Sequence, residues 1–472
     1  MKYKLSALFL VLFLIVGCII TEMYYKKDLT FTYHQHREDN KSETDCQGLL
    51  NCSHLPIINI NTNNQQIPGL SKLSNEYLIT TIDIYDGGNN KTVLGENGIS
   101  KNIRLKYRGR SSLYFDKKGY LIKFINENNQ KENISFLGMP KESDWVLHGP
   151  FIDKTLIRNY MWYNIGQEIM GEAPKNRFVE LYVDNQYQGL YLAIEAVTRS
   201  DESRVIMSKK DKKSIATSYL LQVDVDIVNE VTKLNSFSIY TNKLESKPDK
   251  KIDIEIVYPD EEELTPDVKK YISDDFSKFE KTIYSYDYKE YEKHIDVDNF
   301  VDYFIINEFT QNYDVGYTST YIYKDIAGKL KMYIWDFNSA NNNYEQDLLK
   351  ENQAFKLQET IWYEMLMKDP KFVEKVIKRY KELRKTYLSE EYLYKYIDET
   401  VEYLGPAVDR NFSIWSYDAS AYSFVPHFIP TNHNEAIEQL KSAIKERGTW
   451  MDKNIETLKQ YCHESSNKKY NK

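Results

Sequence analysis

A chain of 472 residues is longer than one hydrophobic core usually serves, so two or three structural units are expected. Its 62 basic and 70 acidic residues are intermixed and leave a formal charge of -8, which argues against a domain-wide basic field for nucleic acid while leaving room for local phosphate sites. Apolar residues make up 42% of the chain and aromatic residues 14%, enough for a sizeable core.

The N-terminus stands apart. Met1-Lys2-Tyr3-Lys4 is a basic start and LSALFLVLFLIVG an apolar run, the pattern of an export signal. The run ends in Ile15-Val16-Gly17-Cys18, which resembles a bacterial lipobox with Ile where Leu is more usual. Cleavage before Cys18 would leave a lipid-anchored terminus. The alternative is a simple signal or an uncleaved N-terminal helix, the apolar run being short of the roughly 20 residues that span a bilayer. Either way the body is expected outside the cytoplasm, tethered to the cell membrane or secreted. The remaining Cys46, Cys52 and Cys462 form no CxxC or Cys/His cluster, which argues against a zinc site. Cys46 and Cys52 are close enough for a local disulfide in an exported chain.

The expected organisation is a leader at 1–20, a polar linker at 21–75 with one short strand at Pro56–Ile60, a core at 76–345, and a helical C-terminal part of the same module at 346–472. Strands read at Tyr77–Tyr85, Ile103–Tyr107 and Tyr120–Phe124. In the last, alternation puts Lys123 with Leu121, opposite Ile122 and Phe124. Asp153 caps a helix over Lys154–Ile169. Arg177–Val183 and Gly189–Ile194 form a hairpin turned by Asp184-Asn185-Gln186. Further strands are expected at Tyr219–Val225, Ser236–Tyr240 and Ile252–Val257, and residues 259–294 read as helical and exposed. A helix at Asp298–Phe309 leads into a hairpin of Ser319–Lys324 and Lys329–Trp335, turned by Asp325–Gly328. Helices follow: Ile361–Arg384, interrupted at Asp369-Pro370, then Glu390–Leu404 and Asn434–Arg447.

Chemistry gathers at two places. MYIWDFN ends a strand at Asp336, and Asp336 with Asn338 offers two hard oxygen donors of the kind that suit Mg2+ when phosphates complete its shell. Asn312 and Asp314 precede the hairpin, whose strands are of similar length, so Asp314 and Asp336 can meet at one end. Such a pair serves phosphoryl transfer or hydrolysis, while turn capping by Asp and Asn is the ordinary alternative. The second place is Arg108-Gly109-Arg110-Ser111-Ser112, whose glycine allows a sharp path and whose Arg and Ser offer phosphate donors. Lys117, Lys118 and Lys123 follow it, and a merely solvated basic loop is the competing reading. Glu195, after the strand YLAI, is a candidate partner for Lys123. His148 in DWVLHGP is a lone histidine without an identified partner. The sequence contains no Walker A, GxGxxG, GxSxG or HExxH motif.

Taken together, YRGRSSLYFDKKGYLIKF, DWVLHGPFIDKTLIRN, APKNRFVELYVDNQYQGLYLAIEAV, YFIINEFTQNYDVGYTSTYIYKD, MYIWDFNSANNN, FVEKVIKRYKELR, Arg410-Asn411 and RGTWMDKNIETL resemble the spore coat protein H (CotH-like) kinase family, over roughly residues 77 to 460. The resemblance implies an α+β, atypical protein-kinase-like fold with antiparallel sheet elements and a helical C-terminal region. It also implies transfer of the gamma-phosphoryl group of ATP to Ser or Thr of a coat or surface protein, with Mg2+ or Mn2+. By that resemblance Asp336 is the metal-binding aspartate, with Asn338 supplying a further oxygen. Asp314 is the catalytic-loop aspartate. Lys123 contacts phosphate with Glu195 as its partner, and Arg108, Ser111 and Ser112 lie near the nucleotide. This chain departs from the family's common pattern at Arg110, where a small polar residue is usual. It departs from ordinary kinases at Ser319, where their catalytic loop has an asparagine. A noncatalytic surface or coat protein that keeps the fold, or another phosphate-handling enzyme, are the alternatives.

Overall fold

The computed structural model describes residues 31–35, 46, 51–69, 76–87, 91–225, 227, 229–234, 253–285, 288–312, 314–343, 354–422 and 428–463. Residues 34–472 form one compact unit; residues 1–33 form another, of which 31–33 are described. The leader, Cys18 and the strand expected at Ser236–Tyr240 lie outside the described residues. Among the described residues, no helix is long and apolar enough to cross a membrane.

Seven strands close a barrel: Ile57–Asn61 (β1), Leu78–Tyr85 (β2), Ile99–Arg108 (β3), Gly119–Ile125 (β4), Asp144–His148 (β5), Asn176–Val183 (β6) and Gln186–Glu195 (β7). Their spatial order is β6-β7-β5-β4-β3-β2-β1, antiparallel throughout except where β6 meets β1 in parallel and completes the ring. Alternation decides what fills it. Ile103, Leu105, Ile122, Phe124, Trp145 and Ala193 point inward and pack together. The other set, including Arg108 and Lys123, points outward.

The short strand expected inside the polar linker therefore forms, and it is a barrel stave rather than part of a tether. Cys46 and Cys52 just before it are joined by a disulfide. The β6–β7 turn uses Asp184 and Asn185 at φ +47° and +63°, the left-handed pair that a two-residue hairpin needs. Strand β5, by contrast, was not expected. Its apolar run is short and opens on Asp144, so periodicity alone gives it little weight.

A second sheet is wholly antiparallel: Tyr219–Asp224 (β8), Asp253–Tyr258 (β9), Thr320–Lys324 (β10) and Lys331–Tyr333 (β11), in the order β9-β8-β10-β11. The main helices are Arg158–Met170 (α1), Pro266–Ile283 (α2), Val297–Thr310 (α3), Pro370–Leu383 (α4), Glu390–Leu404 (α5), Pro406–Ile414 (α6) and His433–Asn454 (α7). The expected exposed helix, α2, buries Val268, Ile272, Phe276, Phe279 and Ile283 along one side. The break at Asp369-Pro370 stands where expected: Asp369 accepts from the Lys371 amide and Pro370 opens α4. The whole is a mixed α+β architecture with a helical C-terminal region.

Candidate active site

Asp336 lies just past β11 with φ +59°, a left-handed conformation that costs a non-glycine residue free energy unless its surroundings hold it. Helix α1 provides the hold. The Asp336 amide donates to Tyr163 Oη (3.1 Å) and the Phe337 amide to Asn159 Oδ1 (2.6 Å). Arg158 Nε donates to the Ala340 carbonyl (2.9 Å) and Trp162 Nε1 to Asn341 Oδ1 (2.7 Å). The helix begins at Arg158 rather than at Lys154. Asp153 still serves its start, accepting from the Arg158 amide (3.0 Å) and pairing with the buried Arg158 guanidinium.

Asp314 approaches from the loop after α3. Its carbonyl accepts from the Thr318 amide (2.9 Å), which tightens the turn into β10. Asn312 Nδ2 donates to the Trp335 carbonyl (3.3 Å), tying this loop to the residue before Asp336. The two aspartates are close enough to feel each other. Burial, then the charge of Asp314, pushes the Asp336 carboxyl up to about 6, opposed by the Arg108 guanidinium. The charges of Asp314 and Arg108 are thus both felt at Asp336, with opposite signs.

The donor set suits a hard cation that shares phosphate oxygens. Asn338 Oδ1 is buried and has no hydrogen-bond partner, while its carbonyl accepts from Asn343 Nδ2 (2.5 Å). Such an oxygen is costly to bury unless something coordinates it. Among the described residues, no group of three or more His, Cys, Asp or Glu could hold a metal ion. Mg2+ bound through one or two carboxylates, phosphates and water needs no such group.

The basic segment divides. Arg108, at the end of β3, lies over the Trp335 ring (5.5 Å) and beside Asp336. Gly109 has φ +127°, and a Cβ there would fall 1.8 Å from Ser112 Oγ, so the turn requires glycine. Ser111 and Ser112 open a single 3-10 turn, Ser111–Tyr114. Arg110 does not obstruct that turn: it reaches across to pair with Asp224 at the end of β8 and to donate to the Val225 carbonyl. Lys117 is buried, donating to the Leu190 carbonyl (2.7 Å) and Asn411 Oδ1 (2.6 Å), and burial holds its ammonium well below its ordinary pKa. Lys118 donates to the carbonyls of Leu113 and Phe115 (2.7 and 2.6 Å).

The expected pairing of Lys123 with Glu195 is not what forms. Lys123 Nζ stands 3.2 Å from Asp144, its cross-strand neighbour on β5. Burial pulls the Lys123 ammonium down, but Asp144 and Tyr77 outweigh it and the pKa is raised. Glu195 is registered with Trp145, one residue along β5, and that single step turns its side chain to the barrel's inner side. There it accepts from Ser203 Oγ and the Lys175 amide (2.8 Å). Lys123 does share the outward face with Arg108. Since Arg108 pairs with Gly119, Lys123 stands four residues, roughly 13 Å, further along β4. His148 ends β5 near Arg108, Asp153 and Lys117; burial, then Arg108, lowers its pKa to about 4, so it is neutral at pH 7.

Sequence reasoning missed Asn159, Tyr163 and Asp224. Asp224 carries no local signal. Asn159 and Tyr163 read as ordinary members of an amphipathic helix, and only their partners in a distant loop reveal them.

The C-terminal motifs brace both sides. Arg410 Nε donates to Glu180 Oε1 (2.9 Å), and Asn411 Oδ1 also accepts from the Leu190 amide (3.1 Å), so α6 is bound to the barrel hairpin. Arg447 of α7 pairs with Glu308 of α3 (2.9 Å), both fully buried, six residues before Asp314.

A closed barrel, a second antiparallel sheet with Asp336 just past its edge strand, and a helical C-terminal region make an α+β protein of atypical kinase-like architecture. The sequence model of the CotH kinase protein family matches residues 105–451, and the chain belongs to that family. It is similar to the inner spore coat protein H of Bacillus subtilis (strain 168), at 24% identity over 292 residues, covering 61% of this chain and 70% of that protein.

Proposed function

We propose that this chain is an ATP-dependent protein kinase that phosphorylates Ser or Thr of a coat or surface protein. The observation that carries the proposal is the tie between the Asp314 loop and the residue before Asp336, with the charges of Asp314 and Arg108 both felt at Asp336 and the unpartnered Asn338 oxygen two residues on. Asp336 and Asn338 would hold Mg2+ or Mn2+, which when bound neutralises charge on the phosphates. Arg108 holds the phosphates by charge-assisted hydrogen bonds, with Ser111 and Ser112 at the adjacent turn. Lys123 lines the same outward face, and Glu195 supports that part of the barrel from within. Asp314 takes the proton from the acceptor hydroxyl as its oxygen attacks the gamma phosphorus, and the bond to the bridging oxygen breaks to release ADP.

The leader and Cys18 support a lipid-anchored body at the outer face of the cell membrane, and the name of the Bacillus relative, a spore coat protein, supports a place near coat proteins. Intact mass of the membrane-associated protein tests the lipid at Cys18. Incubation with gamma-labelled ATP, Mg2+ or Mn2+ and a Ser-rich surface protein tests the activity. Label transfer by the wild type and none by Asp336→Ala is the expected result. Absence of both transfer and nucleotide-dependent thermal stabilisation in the wild type favours a noncatalytic surface protein instead.

A further inference from the structure

We infer that Tyr163 and Asn159 of α1 are positioning residues that set the metal affinity of the Asp336 loop. The inference rests on the kinase reading above, and its first support is geometric. Arg158, Asn159, Trp162 and Tyr163 lie at i, i+1, i+4 and i+5, one face of the helix, and each meets the segment 336–341 by a hydrogen bond. Two of the four act on backbone amides rather than on side chains or carbonyls, and these are the amides of Asp336 and Phe337. They fix the peptide planes on either side of the Asp336 Cα, and with them the left-handed φ that aims its carboxylate.

Packing reinforces this. The Tyr163 ring stacks on Trp335 (5.8 Å) and meets Phe337 edge-on (6.0 Å), so the residues before and after Asp336 clasp the phenol that holds it. At Gly166, one turn along, a Cβ would come 2.1 Å from Ile334 Cδ1, so the helix lies directly against the strand that delivers Asp336. The next stripe of α1 has other duties: Tyr160 packs on Phe178 of the barrel (4.5 Å) and its hydroxyl donates to the Gln35 carbonyl (3.3 Å). Buried amides need acceptors in any core, but here both acceptors are side chains of one helix and they flank the residue whose carboxylate would be the ligand. That placement matters because an aspartate free to leave its left-handed conformation presents its oxygens to a cation only part of the time.

Calorimetry on the full chain, titrated with the Mn2+ complex of a non-hydrolysable ATP analogue, tests the inference. Tyr163→Phe keeps the ring and removes the acceptor, and it is expected to weaken binding about tenfold. Asn159→Ala is expected to do the same, and decides the matter should Tyr163→Phe fail to fold. Tyr160→Phe, one turn from Tyr163 and bonded to Gln35 rather than to the Asp336 loop, is expected to bind within about twofold of the wild type. Unchanged binding in Tyr163→Phe and Asn159→Ala overturns the inference and leaves the kinase reading standing. Equal weakening in Tyr160→Phe also overturns it, since general loosening of the helix is then the cause. Absence of binding by the wild type overturns both.

Discussion

Arg108, Arg110, Lys117 and Lys118 stand in one short loop, and three of the four are committed to the protein itself: Arg110 to Asp224, Lys117 to Asn411, Lys118 to the carbonyls of its own turn. The loop from Asp336 to Asn343 is the reverse. Its backbone is tied down at Asp336, Phe337, Ala340 and Asn341, yet Asn338 Oδ1, Ser339 Oγ and Asn342 Oδ1 are buried without a hydrogen-bond partner. A charged loop is therefore not a binding loop by virtue of its charge. Fixed backbone with unsatisfied side chains is the better mark of a site, because evolved interiors otherwise satisfy their polar groups.

The largest effect expected from this contrast is at Asp336. Asp336→Asn is expected to cut label transfer by about a thousandfold or more while leaving circular dichroism unchanged, because the site loses charge needed only in the reaction. Next comes the basic loop as structure. Asn411→Ala leaves the buried Lys117 ammonium short of an acceptor and is expected to cost about 3 kcal/mol, read from the midpoint of urea unfolding. A Lys117 that tolerated this change would break the claim that the loop's cations are structural.

The two arginines sharpen the contrast further. Arg108→Ala is expected to raise KM for ATP about tenfold, whereas Arg110→Ala, removing a cation already paired with Asp224, changes it by less than about threefold. Equal effects would return Arg110 to the phosphate site. The smallest effect is a pH dependence. The Asp336 carboxyl is raised to about 6 by burial first and by Asp314 second, so it favours the folded state at low pH and loses that contribution as pH rises through about 6. Asp314→Asn removes the like charge and is expected to stabilise the protein without added metal by up to about 1 kcal/mol at pH 7, and not at pH 3, measured by thermal unfolding. In the wild type, metal-dependent label transfer is expected to fall as pH drops below about 6.

What was legible in the sequence followed from local rules. The hairpin between Ser319 and Trp335 forms as Thr320–Lys324 and Lys331–Tyr333, alternation put Lys123 opposite Ile122 and Phe124, and Asp184-Asn185 announced its turn. What was not legible was non-local. Whether Lys123 meets Asp144 or Glu195 depends on which strand lies beside β4, and a stave that opens on an aspartate gave no periodic signal for it. The polar acceptors of α1 were hidden for a related reason: helix patterning weighs apolar positions, while Asn159 and Tyr163 matter through single hydrogen bonds to a loop that lies far along the chain.

The buried pair of Arg447 and Glu308 has a consequence for how the protein comes into being. Glu308 also accepts from the Lys356 amide (2.8 Å), so one carboxylate holds α3, the segment after the Asp336 loop, and α7 together. A nascent chain that has already made both aspartates still lacks the guanidinium that neutralises Glu308. Until α7 is in place, Glu308 keeps its amide partners but lacks a countercharge at the root of the Asp314 loop, and burying it is disfavoured. Docking of α7 therefore favours order at the root of the Asp314 loop, and a product truncated before Arg447 would carry every candidate catalytic residue without that countercharge.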